Sequence, residues 1–190
     1  MKPSKILILP ASLRRASLNR TLAELAASIL TSQGHTVDLA EMAEFDTPSY
    51  NGDVESAEGI PAGAKELHKR MLENDAFIIV SPEYNGSIPG SLKNTIDWMS
   101  RFKPQPFGKL NMLLMSASPS MSGGNLGLWQ LRIPLEKLGA RVYPAMFSLA
   151  MADKAFTSEG RISDENLAKL LDKTIADFLE LVKKKQGLGL

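Results

Sequence analysis

Cysteine is absent from all 190 residues, and histidine occurs only as His35 and His68. The first absence excludes disulfides, thiol redox chemistry, thiolate zinc sites and iron–sulfur clusters. The second removes the material for a multi-histidine metal centre, so no metal site is expected. Charge of one sign is equally scarce: 22 Lys and Arg stand against 21 Asp and Glu, a net +1. That balance offers nucleic acid no electrostatic footprint. No apolar run approaches the roughly 18 residues of a membrane helix. The N-terminal apolar core, Ile6 to Leu9, stops at Pro10 and is too short for a secretory signal. The expectation is a cytoplasmic protein with no nucleic-acid and no membrane partner. The sequons at Asn19-Arg20-Thr21 and Asn85-Gly86-Ser87 are then incidental. Two phosphate fingerprints are missing as well. There is no G-x-x-x-x-G-K-[ST], and the nearest approach to G-x-G-x-x-G, Gly123 to Gly127, is a weak match.

What is present is ordinary in amount and ordered in arrangement. Apolar residues make up 44% and charged residues 23%, which at this length fits one well-cored domain over 1–190. Five short apolar runs occur at 5–9, 36–40, 76–80, 110–116 and 140–144. The first, third and fourth are almost continuously apolar, as strands buried on both faces must be. The second alternates and suits an edge. Helical spacing fills the intervals: 18–34 ending at Gly34, 62–74 with Leu67, Met71 and Leu72 on its apolar side, 90–101, and roughly 126–138. A last helix starts at 163–166, with Ser163 as its N-cap, and carries a stripe from Leu167 through Leu170 and Leu181 to Val182. Residues 43–61 show no periodicity and read as a surface excursion. This alternation predicts an α/β fold, a doubly wound parallel sheet of flavodoxin-like order 2-1-3-4-5 with helices on both faces.

In such a sheet, ligands sit at the carboxyl ends of the strands where the strand order reverses. The loops that meet there are 10-PASLRRASLN-19, 81-SPEYNGSIPG-90 and 116-SASPSMSGGN-125. Ser12, Arg14, Arg15, Ser17 and Asn19 at a helix start suit a phosphate; equally, Ser17 caps the helix and the arginines are solvated. In the second loop, Pro82 fixes a torsion and Asn85-Gly86 permits a tight turn. That turn could present backbone groups to a planar heterocycle beside Tyr84, or serve only as a connector. Ser116, Ser118 and Gly123-Gly124 could let backbone approach a ring edge, or simply give a flexible link.

Taken together, the motifs resemble the NADPH-dependent FMN reductase family, which includes quinone, azo-dye and chromate reductases. The segment P-E-Y-N-x-S-x-P-G-x-L-K-N-x-I-D-W runs from Pro82 to Trp98, S-L-R-x-x-S-x-N from Ser12 to Asn19, and Gly123-Gly124 precede Leu131-Arg132. The resemblance implies FMN as cofactor, with its phosphate on Ser12, Arg14, Ser17 and Asn19. The ribityl chain and ring would lie against Pro82, Glu83, Tyr84 and Asn85, and the ring's pyrimidine edge beside Ser116, Ala117, Ser118 and Gly123. It also implies NADPH or NADH as co-substrate, a small-molecule electron acceptor, and a homodimer or homotetramer with the site near the interface. Two positions depart from the family pattern: Pro10-Ala11 where a glycine usually precedes Ser-Leu-Arg, and Ala117 where relatives often carry a hydroxyl.

A flavin carries hydride chemistry itself, so the chain needs no catalytic nucleophile or general acid, which suits its lack of cysteine. Arg101 is a candidate for an intersubunit or nicotinamide-phosphate contact, or is simply solvated. A rival reading is a flavodoxin-type FMN electron carrier without direct NAD(P)H reactivity. A second rival is a protein whose flavin site has decayed at Pro10-Ala11.

Overall fold

The computed structural model describes residues 3–188. Strands β1 (Lys5–Pro10), β2 (Thr36–Leu39), β3 (Ala76–Val80) and β4 (Asn111–Ala117) run parallel, with β5 (Arg141–Val142) and β6 (Phe147–Leu149) both paired to β4. The order β2-β1-β3-β4-β5 is the predicted one. The three central strands are buried along almost their whole length, and β2 is an exposed edge. The fifth run differs from expectation: it is interrupted, pairing with β4 first at Arg141-Val142 and again at Phe147–Leu149. Tyr143 still donates its N–H to the Met112 carbonyl at 2.7 Å, but Pro144 has no N–H to continue the ladder.

Alternation along each strand divides the core in two. Leu7, Leu9, Phe77, Ile79, Met112 and Leu114 face α3 (Ala62–Glu73), α4 (Gly90–Met99) and α5 (Asn125–Lys137). Ile6, Ile8, Ile78, Val80, Leu113 and Met115 face α1 (Leu18–Ser32) and α7 (Glu165–Leu188). Two further helices are short, α2 (Gly52–Glu58) and α6 (Ala152–Ala155).

Several details of the sequence reading change. The segment 43–61 contains a 3-10 turn at Met42–Phe45 and helix α2. Neither is marked by periodicity: the 3-10 turn buries only Met42 and Phe45, α2 buries no residue, and polar contacts hold the rest. Trp98 Nε1 donates to the Pro48 carbonyl at 2.7 Å, and Tyr50 N–H donates to Asn94 Oδ1 at 2.8 Å. Asp164, not Ser163, caps α7: its Oδ1 accepts from the N–H groups of Asn166 and Leu167, whereas the Ser163 hydroxyl donates to the Ala155 carbonyl. Leu72 and Leu170 lie half exposed at the margins of their stripes.

At the opposite end of the sheet, the Ser4 N–H donates to His35 Nδ1 at 3.2 Å, which suits the neutral ring. Burial, and then the Lys183 charge, holds this imidazole below its ordinary value; burial and Lys109 act likewise on His68. A depressed imidazole pKa means that the unfolded chain binds protons first. Stability should therefore be intact above about pH 6.5 and decline as pH falls toward the folded-state values. Thermal scans between about pH 7.5 and 5.5 test this: His35→Gln should flatten the decline, and an unchanged slope would remove His35 as its source.

Candidate flavin site

β1, β3 and β4 end side by side, so their following loops converge at one edge of the sheet. Ser12, Arg14, Ser17 and Asn19 from the first loop meet Pro82, Glu83 and Tyr84 from the second, and Ala117 and Ser118 from the third, around a cleft of about 240 Å3. Leu18 and Pro119 also line it and were not anticipated. Leu18 could have been found, since it is the first residue of α1 and its backbone N–H necessarily faces the cap. Asn85, Ser116 and Gly123 do not line the cleft; they support it.

The first loop is built to offer donors. Ser17 Oγ accepts from the Arg20 N–H at 3.4 Å, so the capping role is real. It leaves the N–H groups of Leu18 and Asn19 without an intrahelical acceptor. The Arg14 guanidinium has no carboxylate partner among the described residues. A cap, free N–H groups and an unpaired guanidinium together form the donor set a phosphate needs. Ala11 is buried in the core, and its N–H donates to the Val80 carbonyl at 2.9 Å.

Asn19 has a second task. It is 4% exposed, its Nδ2 donates to the Ala117 carbonyl at 2.9 Å, and its Oδ1 accepts from the Ala117 N–H at 2.9 Å. The last β3-side bond on β4 runs from the Ser81 N–H to the Met115 carbonyl. Asn19 thus takes the next rung of the ladder and ties the first loop to the third.

In the second loop, Tyr84 and Ser87 exchange backbone hydrogen bonds of 2.8 and 3.0 Å around Asn85 (φ 52°) and Gly86 (φ 73°). This is the two-residue turn with positive φ at both central positions that Asn-Gly favours. Tyr84 is left half exposed above the cleft. Glu83 Oε2 accepts from the Gly127 N–H at 2.8 Å. It so places a carboxylate on the first turn of α5, where the helix dipole favours it. A Cβ on Gly127 would stand 3.1 Å from Glu83 Cβ, which explains the small residue.

The third loop is braced from below. Gly124, at φ 83°, starts α5 directly over Ser116, whose buried Oγ has no hydrogen-bond partner among the described residues. Gly123 lies against the backbone of Leu149 and Ala150. Arg101 stays exposed to solvent but is paired: its Nε donates to both Glu55 oxygens at 2.9 Å, tying α2 to the segment that follows α4. Among the described residues, no group of three or more His, Asp or Glu is placed to hold a metal ion, and no helix is long and apolar enough to cross a membrane.

Residues 4–154 match the family described as NADPH-dependent FMN reductase. A quinone reductase of Escherichia coli K12 is 31% identical over 182 residues, covering 95% of this chain and 96% of its own. An NAD(P)H-dependent FMN reductase of Pseudomonas aeruginosa is 31% identical over 186 residues, covering 96% and 97%. Among solved structures, the flavoenzyme NAD(P)H:(acceptor) oxidoreductase FerB of Paracoccus denitrificans superposes with a TM-score of 0.77 at 26% identity, over 95% of this chain and 98% of that one. The match runs through every strand of the sheet and all three loops. On that ground the chain belongs to the NADPH-dependent FMN reductase family of flavin oxidoreductases.

Proposed function

We propose that the three-loop cleft is the FMN site of an NAD(P)H-dependent reductase spanning the whole chain as one domain. The observation that carries this reading is the convergence, in one cleft, of Ser12, Arg14, Ser17 and Asn19 with Pro82–Tyr84 and Ala117-Ser118. The phosphate would lie on the Leu18 and Asn19 N–H groups, Arg14 and the Ser12 hydroxyl. Bound FMN supplies the chemistry of taking hydride from NAD(P)H and passing electrons to a quinone, azo, metal-oxyanion or flavin acceptor. The chain's own part is to bind and orient: Tyr84 and the Asn85-Gly86 turn offer a flat, half-open shelf, and the Glu83–Gly127 bond fixes that shelf to α5.

A cleft of about 240 Å3 is smaller than the roughly 300–1,000 Å3 of a typical enclosed cofactor site. The ring would therefore extend beyond it, toward an exposed apolar stripe on α5. Leu126, Trp129 and Ile133 are 51%, 53% and 62% exposed, while Leu128, Leu131 and Leu135 on the same helix are fully buried. A helix apolar on both faces expects a partner. A second copy of the chain seated on this stripe would complete the site, giving the homodimer or homotetramer. A thiol-free chain using NAD(P)H suits a cytoplasmic setting.

The test is a fluorescence titration of the apo-protein with FMN, followed by anaerobic addition of NADPH. Quenching at micromolar FMN and prompt bleaching of the visible band are expected, and Arg14→Ala should weaken FMN binding by about tenfold or more. Tight binding without bleaching would instead identify an electron carrier. No binding would overturn the site.

A further inference from the structure

The loop that closes the flavin cleft has a second side. Ser12 and Arg14 also line a neighbouring cleft of about 230 Å3 toward β2, together with Arg15, Arg20 and Glu41. Leu13, Met42 and Ala43 then lead from this cleft into a mainly apolar cavity of about 340 Å3, bounded also by Phe45, Asp46 and Ser91. A basic cleft and an apolar cavity thus share a wall, and the basic cleft adjoins the proposed flavin phosphate site through Ser12 and Arg14.

The charges in the basic cleft are not equivalent. Arg20 is committed, donating to Glu24 at 2.9 Å and to Glu41 at 2.8 Å, which also satisfies the cleft's one carboxylate. Arg15 is exposed and has no carboxylate partner among the described residues. With Arg14 serving the flavin phosphate, Arg15 is the guanidinium left over for a second anion. Next to it, Leu13 is 65% exposed and borders both spaces, a flat apolar step between them. The Asp46 carboxylate on the apolar cavity also lacks an ion-pair partner among the described residues and can accept from an amino or hydroxyl group.

A phosphomonoester joined to a planar, amino-bearing ring satisfies all of these features. We propose that the two cavities hold the adenosine 2′-phosphate half of NADPH, with the adenine against Leu13 and Ala43 and the 2′-phosphate on Arg15. Arg15 then sets the choice between the two nicotinamide cofactors, since NADH presents only a hydroxyl there. This assignment rests on the FMN reading of the adjoining cleft.

The experiment uses FMN-loaded protein, so that the flavin phosphate site is filled, and measures binding of 2′,5′-ADP and 5′-AMP by calorimetry. The diphosphate should bind about tenfold or more tightly than AMP. Arg15→Gln should abolish that difference without altering the FMN titration. In turnover the same variant should raise KM for NADPH by a similar factor, leaving kcat and the NADH constants unchanged. Ala43→Trp, which fills the shared wall, should weaken both nucleotides alike. The proposal falls if the preference survives Arg15→Gln, or if Ala43→Trp leaves both affinities intact. It falls equally if inorganic phosphate competes as well as 2′,5′-ADP, marking a simple anion site, or if 2′,5′-ADP displaces FMN. Failure of FMN itself to bind would overturn the flavin reading and this assignment together; retained FMN with any of the other failures would overturn this assignment alone.

Discussion

Asn19→Ala is expected to destabilise the protein by about 2–4 kcal/mol and to weaken FMN binding by more than tenfold. The first figure follows from the hydrogen bonds that the carboxamide makes. Both go to the backbone of one residue, Ala117, at 2.9 Å, in a place where β3 no longer reaches β4. Truncation leaves a buried N–H and a buried C=O unpaired, and each such loss costs roughly 1–3 kcal/mol. In a chain of this size that corresponds to a fall in Tm of roughly 5–15 °C. The binding loss has a separate origin: without the clip, the first loop is no longer held against the third, and the phosphate donors lose their fixed spacing. Asn19→Asp separates the two hydrogen bonds. It keeps an acceptor for the Ala117 N–H but sets an anion against the Ala117 carbonyl in a buried site. At neutral pH it should therefore be worse than alanine. The buried carboxyl would have a raised pKa, so the variant should recover as pH falls and the protonated acid donates again. A variant as stable as wild type at neutral pH would show that the Asn19–Ala117 pair contributes nothing.

The Asn19 clip also shows where sequence reading stops. Strands β1, β3 and β4 could be read because burial on two faces writes itself as unbroken apolar runs, Ile6–Leu9, Ala76–Val80 and Met112–Met115. Their topology then located the three loops, and the loops supplied most of the cleft. What could not be read are relations between distant residues that leave no periodicity. Asn19 and Ala117 are 98 residues apart, and Glu83 and Gly127 are 44 apart. Asn19 in the sequence is a polar residue in a phosphate loop; only the fold shows that its side chain substitutes for a strand. The 43–61 segment was opaque for a related reason. Its order comes from Trp98 and Asn94 bonding the Pro48 carbonyl, from Glu55 pairing with Arg101 and from the single buried anchor Phe45, not from a periodic apolar face. Pro144 was visible as a residue, yet its consequence, a strand that stops and resumes on β4, depends on the neighbour it pairs with.

Gly124→Ala should produce the second large loss, about 2–4 kcal/mol, from two sources that can be separated. An alanine at φ 83° sits in the left-handed region, which costs about 1–2 kcal/mol for a residue with a Cβ. The new methyl would also stand 2.0 Å from Ser116 Oγ and 3.2 Å from Ser116 Cβ. Ser116 is fully buried and its hydroxyl has no partner among the described residues, so Ser116→Ala alone should leave the stability of the apo-protein unchanged or slightly higher. Combined with Gly124→Ala, it should remove the contact with Oγ but not the backbone penalty. The double variant should therefore regain part of the loss, with a coupling of about 1–2 kcal/mol measured by denaturant unfolding of the four proteins. Because Gly124 precedes the first turn of α5, whose Gly127 N–H holds Glu83, the single variant should also shift the second loop and weaken FMN. If the effects of the two substitutions simply add, the two residues are not in contact, and α5 starts farther from β4 than this fold places it.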